Sequence, residues 1–131
     1  MTSTTAYLCS RVFDGEKIHA NAALLVEDGK VAGLLSADQV PVGVETVDLG
    51  DGILAPGLID LHGHYDEAAM LMAVDPDLTA LPNGVTTGVD AGSVGFANYR
   101  GLEMVMERSV VDVYSFLHIG AVGLSLLVVG F

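Results

Sequence analysis

Short apolar runs separated by turn residues fill the first third of the chain, and this pattern predicts strands. Residues 6–13 are apolar and rich in Tyr, Val and Phe, and residues 44–49 alternate apolar and polar positions, as a half-buried strand does. Residues 22–27 and 30–35 flank Asp28-Gly29, a pair typical of a two-residue hairpin turn. The pattern therefore predicts a small antiparallel β sheet, and it places no catalytic group there.

The pattern changes at Ile53. Residues 53–61 are almost continuously apolar, which is typical of a strand buried on both faces. Asp75-Pro76 then supplies an N-cap and a first helical residue, and Pro82 and Gly84 limit that helix to a short length. This stretch therefore predicts a buried strand followed by a short helix.

Two more strands and one more helix follow. Residues 85–90 are β-branched and apolar, residues 96–110 carry apolar side chains at helical spacing, and residues 111–119 form a third candidate for a buried strand. Alternating strands and helices predict a parallel sheet with crossover helices. The expected strand ends, His62, Asp90 and His118, are 28 residues apart, close to the roughly 30 residues of one unit in a (β/α)₈ barrel.

Composition narrows the class of protein. The chain has 131 residues, 51% of them hydrophobic, and 17 acidic against 5 basic residues give a net charge of −12, so a nucleic-acid partner is not expected. The single cysteine, Cys9, forms no internal disulfide, and the N-terminus has no secretory signal, which together favour the cytoplasm. The longest run with few polar residues is 119–131. It is shorter than the roughly 20 residues that a helix needs to cross a bilayer, so no membrane partner is expected.

His62 and His64 are the strongest candidates for chemistry. Side chains two positions apart on a strand point to the same face, and their Cα atoms lie roughly 6.6 Å apart. Both imidazoles could then bind one ion, with Zn–N distances of about 2.0–2.1 Å. The alternative is a pair of solvated loop histidines, but the preceding Pro-Gly and buried strand favour a metal site.

Four other residues have two interpretations each. Asp60 lies two positions before His62, so on a strand its side chain points to the same face as the two histidines. It could orient a group beside a metal ligand, or be paired for structure alone. Asp90 and Ser93 could line the mouth of the site, although a turn or N-cap role is typical of these residue types. His118 could be a metal ligand, but a lone histidine near a strand end is more often structural or faces a substrate.

The segment PGLIDLHGH, residues 56–64, resembles the first barrel strand of the amidohydrolase superfamily. Residues 74–93 and the stretch VYSFLHIGAVGL are similar to the second and third strand regions of its dihydroorotase-like deacetylases. The resemblance covers about residues 10–124 and concerns only the N-terminal portion of that family. It implies an α/β fold in which an N-terminal antiparallel β domain, residues 1–55, precedes the first three strands of an incomplete (β/α)₈ TIM-type barrel, residues 56–131. The β domain is completed in many members by strands from the end of the chain.

The resemblance also implies a mechanism. One or two divalent ions, usually zinc, activate water to hydrolyse an amide, an N-acyl group or a cyclic amide, and an Asp on the last strand moves the proton. Only His62 and His64 carry over, as metal ligands, and no catalytic residue does. Only 74 residues follow position 57, whereas a whole barrel takes about 250. The last residues, SLLVVGF, do not resemble the family, which suggests truncation or a change of frame.

Three hypotheses follow. The first is an N-terminal piece of a metal-dependent amidohydrolase that is inactive alone and acts on a small-molecule amide only as part of the whole enzyme. The second is a non-catalytic interaction module that forms a homo-oligomer, or binds a partner, through an open sheet edge. The third is a complete small metal-binding α/β protein.

Overall fold

The computed structural model describes residues 3–128 and divides between Pro56 and Gly57 into two compact units. The two α-helices are α1 (Pro76–Thr79) and α2 (Tyr99–Arg108), and three short 3₁₀ segments occupy Ala37–Gln39, Leu81–Asn83 and Gly123–Val128. The strands, in chain order, are β1 (Thr4–Phe13), β2 (Ile18–Glu27), β3 (Lys30–Ser36), β4 (Glu45–Asp48), β5 (Ile53–Leu54), β6 (Leu58–Gly63), β7 (Val85–Asp90) and β8 (Asp112–Ser115).

The first unit is a mixed sheet with strand order β3-β2-β1-β4, in which β5 also pairs with β1. β2 runs antiparallel to both β1 and β3, but β4 and β5 run parallel to β1. The prediction of an antiparallel sheet is therefore wrong for β4 and β5. Alternation along a strand determines which side chains face the core, but it does not determine the direction of the neighbouring strand.

The predicted hairpin is confirmed. Asp28 and Gly29 have φ angles of 48° and 77°, and positive φ at both central residues is typical of the type I′ turn that joins two antiparallel strands. Cys9, Val12 and Ala22 form the small core of this unit, with Leu34 and Leu54 packed against it.

The second unit contains a parallel sheet with strand order β6-β7-β8, which confirms the predicted parallel pairing. α1 lies between β6 and β7 in the chain, and α2 lies between β7 and β8. The core of the unit combines residues from the loops, α2 and β8: Tyr65, Val94, Leu102, Val105, Val111 and Val113.

The predicted single buried strand over residues 53–61 is wrong in two respects. The chain forms two strands, β5 and β6, interrupted at Pro56, because proline has no N–H to donate to a sheet. Leu58, Ile59 and Leu61 are 59%, 64% and 70% exposed. Their side chains point to the faces of the sheet, and no described residues cover them there. β6 is also an edge strand, with a neighbour on one side only among residues 3–128.

The predicted start and short length of the first helix are confirmed, although α1 ends at Thr79, before Pro82. The Asp75 carboxylate accepts hydrogen bonds from the N–H groups of Asp77 and Leu78, which caps α1. Gly84, at φ 79°, follows the 3₁₀ segment that ends at Asn83, and β7 begins at Val85 as predicted.

The second helix is shorter than the apolar pattern predicted. Phe96 and Val110 lie outside α2 and are 71% and 74% exposed, whereas Leu102 and Val105 are buried. The Asp77 carboxylate accepts hydrogen bonds from the N–H groups of Val110 and Val111. Those two N–H groups are therefore bound outside the helix, which ends at Arg108.

The third predicted strand, residues 111–119, is also too long, because β8 ends at Ser115. His118 lies beyond it, where its N–H donates to the carbonyl of Val94 and it forms an isolated parallel bridge with Gly95. The prediction that His118 ends the strand is therefore wrong. None of the helices in the described part of the chain has the length and apolar character needed to span a membrane. Residues 129–131, the last of the run that does not resemble the family, lie outside the described residues.

Candidate metal centre

His62 and His64 lie at the carboxyl end of β6. His62 belongs to the strand and is exposed, and His64 follows the last strand residue and is half-buried. Their ring centroids are 5.5 Å apart, with the planes at 89°. The local structure therefore brings the two imidazoles into contact, while their role as metal ligands stays a prediction.

The spacing of the rings fits two corners of a tetrahedral zinc site. An ion about 2.0–2.1 Å from one nitrogen of each ring leaves the two centroids roughly 5 Å apart, close to the 5.5 Å found here. Within residues 3–128, however, no group of three or more His, Cys, Asp or Glu side chains is placed to hold an ion. Structural and catalytic zinc sites use at least three protein ligands, so the two histidines would need at least one more ligand to hold such an ion.

Ser93 contacts His64 directly. Its Oγ lies 2.8 Å from Nδ1 of the imidazole, and Ser93 is fully buried. A metal-binding histidine usually has its other ring nitrogen in a hydrogen bond, which fixes the orientation of the ring. Ser93, for which the sequence left a site-mouth role and a turn or N-cap role open, therefore lies against one of the two candidate ligands.

Asp90 joins the two loops that carry His64 and Ser93. It is fully buried, and its Oδ1 accepts hydrogen bonds of 3.0 and 2.7 Å from the N–H groups of Gly92 and Ser93. Its Oδ2 accepts a hydrogen bond of 2.9 Å from the N–H of Tyr65. Of the two interpretations of Asp90, the described contacts favour the turn-forming one.

Asp60 is hydrogen-bonded beside the histidines. One carboxylate oxygen accepts from the N–H of His62 at 3.0 Å, and the other accepts from the Tyr65 hydroxyl at 3.3 Å. Asp60 thus supports the backbone of one candidate ligand, and it has no described hydrogen bond to either imidazole.

Sequence reasoning missed Tyr65. This residue is 2% exposed. Its side chain occupies the space left by two glycines, because a Cβ at Gly63 would lie 2.2 Å from the ring and one at Gly88 would lie 2.6 Å from the hydroxyl oxygen. Burial, with the negative charge of Asp60 and its hydrogen bond and the charge of Asp90, raises the pKa of Tyr65 to about 12. A glycine at the end of β6 and another in β7 were the available signals for an aromatic ring between them.

His118 has local partners. Its Nδ1 accepts a hydrogen bond of 2.8 Å from the N–H of Gly120, which closes a tight turn. No described hydrogen bond links it to His62 or His64. These contacts favour the structural interpretation of His118.

Comparison with known proteins gives the chain clear relatives. No family model matches it. It is 37% identical over 102 residues to Deacetylase Atu3266 of Agrobacterium fabrum, a match covering 77% of this chain and 25% of that protein. It is 35% identical over 114 residues to a deacetylase of Brucella anthropi, covering 86% of this chain and 28% of the relative. The solved structure of a dihydroorotase matches with a TM-score of 0.78 and 31% identity, over 95% of this chain and 33% of that one.

These matches cover only part of each relative. The chain spans about a quarter of the length of the two deacetylases. The matches support a common fold and a common origin over that quarter.

Proposed function

We propose, from the homology of this chain to a partial N-terminal region of amidohydrolase superfamily members, that it carries the first two ligands of a hydrolase that cleaves a carbon–nitrogen bond. The observation that carries the proposal is the contact between the His62 and His64 rings, 5.5 Å apart at the carboxyl end of a parallel strand. Barrel enzymes place their chemistry at that end. The substrate class is a small amide, an N-acyl compound or a cyclic amide.

The residues of the chain have distinct tasks in this proposal. His62 and His64 hold a divalent cation, with zinc as the first candidate. Such a cation, when bound, supplies a Lewis acid for the substrate carbonyl and lowers the pKa of its water toward about 7. Asp60 holds the backbone of His62, and Asp90 holds the loops on both sides of the site.

The chain alone is proposed to be inactive. Catalytic zinc sites have three protein ligands as a rule, and residues 3–128 bring together only two candidates. Further ligands, and the carboxylate that moves the proton, would come from residues other than these. The expected behaviour of the isolated chain is weak zinc binding without turnover.

Zinc titration of the purified chain tests the proposal. We expect His62→Ala and His64→Ala each to weaken zinc binding at least about tenfold, since removing one of two ligands leaves a single imidazole. His19→Ala is the matched control, because His19 lies in the other unit and contacts Asp14. Equal zinc affinity in the wild type and both site variants would contradict the metal role. Zinc that survives dialysis at one ion per chain, with hydrolysis of N-acetylated amino acids, would contradict inactivity.

A second candidate function is an interaction module, favoured by the exposed apolar side chains of the edge strand β6. Leu58, Ile59 and Leu61 all exceed half exposure, and an uncovered apolar edge strand is prone to pair with another chain. Size-exclusion chromatography over a range of concentrations distinguishes the two candidates. Leu61→Lys should reduce association, whereas Leu71→Lys, at an exposed leucine outside the sheet, should not. A monomer at every concentration would count against this function.

A further inference from the structure

We infer that Ser93 is a positioning residue for His64, which holds the ring through Nδ1 and leaves Nε2 as the nitrogen available to a cation. The inference rests on the proposed function, because it concerns the same site. The distance from Ser93 Oγ to His64 Nδ1 is 2.8 Å, and Ser93 has no exposed surface. The contact is therefore shielded from water on the serine side.

The backbone of Ser93 fixes the position of its hydroxyl. Its N–H donates to Asp90 Oδ1 at 2.7 Å, and its carbonyl accepts from the N–H of Leu124 at 3.1 Å. The next residue after His64, Tyr65, donates to the same Asp90 carboxylate. The serine and the histidine are thus both held by one buried side chain, so the contact between them has little freedom to change.

The chemistry of the two groups determines what the contact can do. A neutral imidazole has one N–H donor and one acceptor nitrogen, whereas a hydroxyl both donates and accepts. Among residues 3–128, Ser93 Oγ has His64 Nδ1 as its one described hydrogen-bond partner. The contact is therefore compatible with both tautomers: Ser93 donates to Nδ1 when the imidazole hydrogen is on Nε2, and Nδ1–H donates to Ser93 Oγ when the hydrogen is on Nδ1.

A cation at Nε2 would require the tautomer that carries its hydrogen on Nδ1. Nδ1–H then donates to Ser93 Oγ, while the hydroxyl hydrogen stays on serine and rotates away. The same two atoms remain in contact in both states, so the ring does not have to move to receive the ion.

Nuclear magnetic resonance of the ¹⁵N-labelled whole chain with excess zinc tests this inference. We expect a slowly exchanging Nδ1–H signal from His64 in the wild type, because the buried Ser93 shields the hydrogen bond from water on its side. The signal should be lost in Ser93→Ala and retained in Ser93→Thr, which keeps the hydroxyl. Zinc affinity should fall about 10- to 100-fold in Ser93→Ala, the usual effect of removing the partner of a metal-binding histidine, and stay within about threefold in Ser93→Thr.

The controls separate this inference from the proposed function. Ser115→Ala removes a half-buried serine that contacts Tyr99, and it should change neither readout. Zinc binding that does not depend on His62 and His64 would contradict the proposed function. In that case, the ¹⁵N shift of His64 Nδ1 in the zinc-free chain still reports whether Ser93 donates a hydrogen bond to it. Histidine-dependent binding that is unchanged in Ser93→Ala would overturn the inference, as would a wild-type chain that binds zinc without a protected Nδ1–H.

Discussion

The N–H of Tyr65 donates a hydrogen bond of 2.9 Å to the carboxylate of Asp90, a residue 25 positions further along the chain. The same carboxylate accepts the N–H groups of Gly92 and Ser93. The loop after β6 and the loop after β7 are therefore bound to each other through one buried side chain. This arrangement sets the distance between His64 and Ser93.

Replacement of Asp90 by alanine should lower the free energy of unfolding by roughly 3 kcal/mol. Three backbone N–H groups lose a charged acceptor, and hydrogen bonds to charged groups contribute about 1.5–3 kcal/mol each, not additively. Urea denaturation followed by circular dichroism measures the change. Asp112→Ala, at an exposed position of β8, is the control and should stay within about 0.5 kcal/mol of the wild type. Similar losses in both variants would show that Asp90 does not hold the loops.

Stability should fall at high pH because of Tyr65. Burial, followed by the charge and hydrogen bond of Asp60 and the charge of Asp90, raises its pKa from 10.0 to about 12. Between pH 10.0 and about pH 12, the folded state therefore keeps the phenol proton while the unfolded chain loses it. The stabilisation is complete below pH 10 and is lost as the pH rises through about 12.

Urea denaturation at pH 9 and pH 11 checks this dependence. Tyr65→Phe should lose less stability between the two values than the wild type, because phenylalanine has no proton to release. Tyr114→Phe is the matched control, since Tyr114 is 61% exposed, and it should follow the wild type. An equal fall in the wild type and Tyr65→Phe would contradict the assignment.

Gly63 and Tyr65 should be energetically coupled. A Cβ at Gly63 would lie 2.2 Å from the Tyr65 ring, so Gly63→Ala must displace a buried side chain, at a cost of about 1–3 kcal/mol. In a Tyr65→Leu background that cost should be smaller, and a double-mutant cycle measures the difference. Gly52→Ala is the control, because its new Cβ would have no neighbour closer than 3.9 Å. Additive effects of the two substitutions would contradict the coupling.

Local signals predicted several elements and the histidine pair. Asp28-Gly29 located the hairpin, Asp75-Pro76 located the start of α1, and a β-branched run located β7. In each case the cause is a turn conformation, a cap or a side-chain preference that acts within a few residues. The His-x-His spacing belongs to this class, because the two histidines are separated by one residue at the end of β6 and their rings are in contact.

The contacts around the histidines could not be predicted in the same way. Ser93 meets His64 across 29 positions of sequence, and Tyr65 meets Asp90 across 25. Such pairs depend on the conformations of two loops, which no periodicity describes. The direction of β4 could not be predicted either. Its alternation of apolar and polar side chains is compatible with a parallel or an antiparallel neighbouring strand.

The hairpin turn allows a test with two glycines that both have open space around them but differ in backbone conformation. Gly29 has φ 77°, whereas Gly33 has no positive φ, and a Cβ at either position would meet nothing within 4 Å. Gly29→Ala should lower the free energy of unfolding by about 1 kcal/mol, because a side chain is strained at positive φ. Gly33→Ala should be neutral or slightly stabilising, since alanine is tolerated in an ordinary strand conformation and reduces the freedom of the unfolded chain. Thermal and urea denaturation of the two variants measures the difference, and an equal effect of both would show that the type I′ turn does not form.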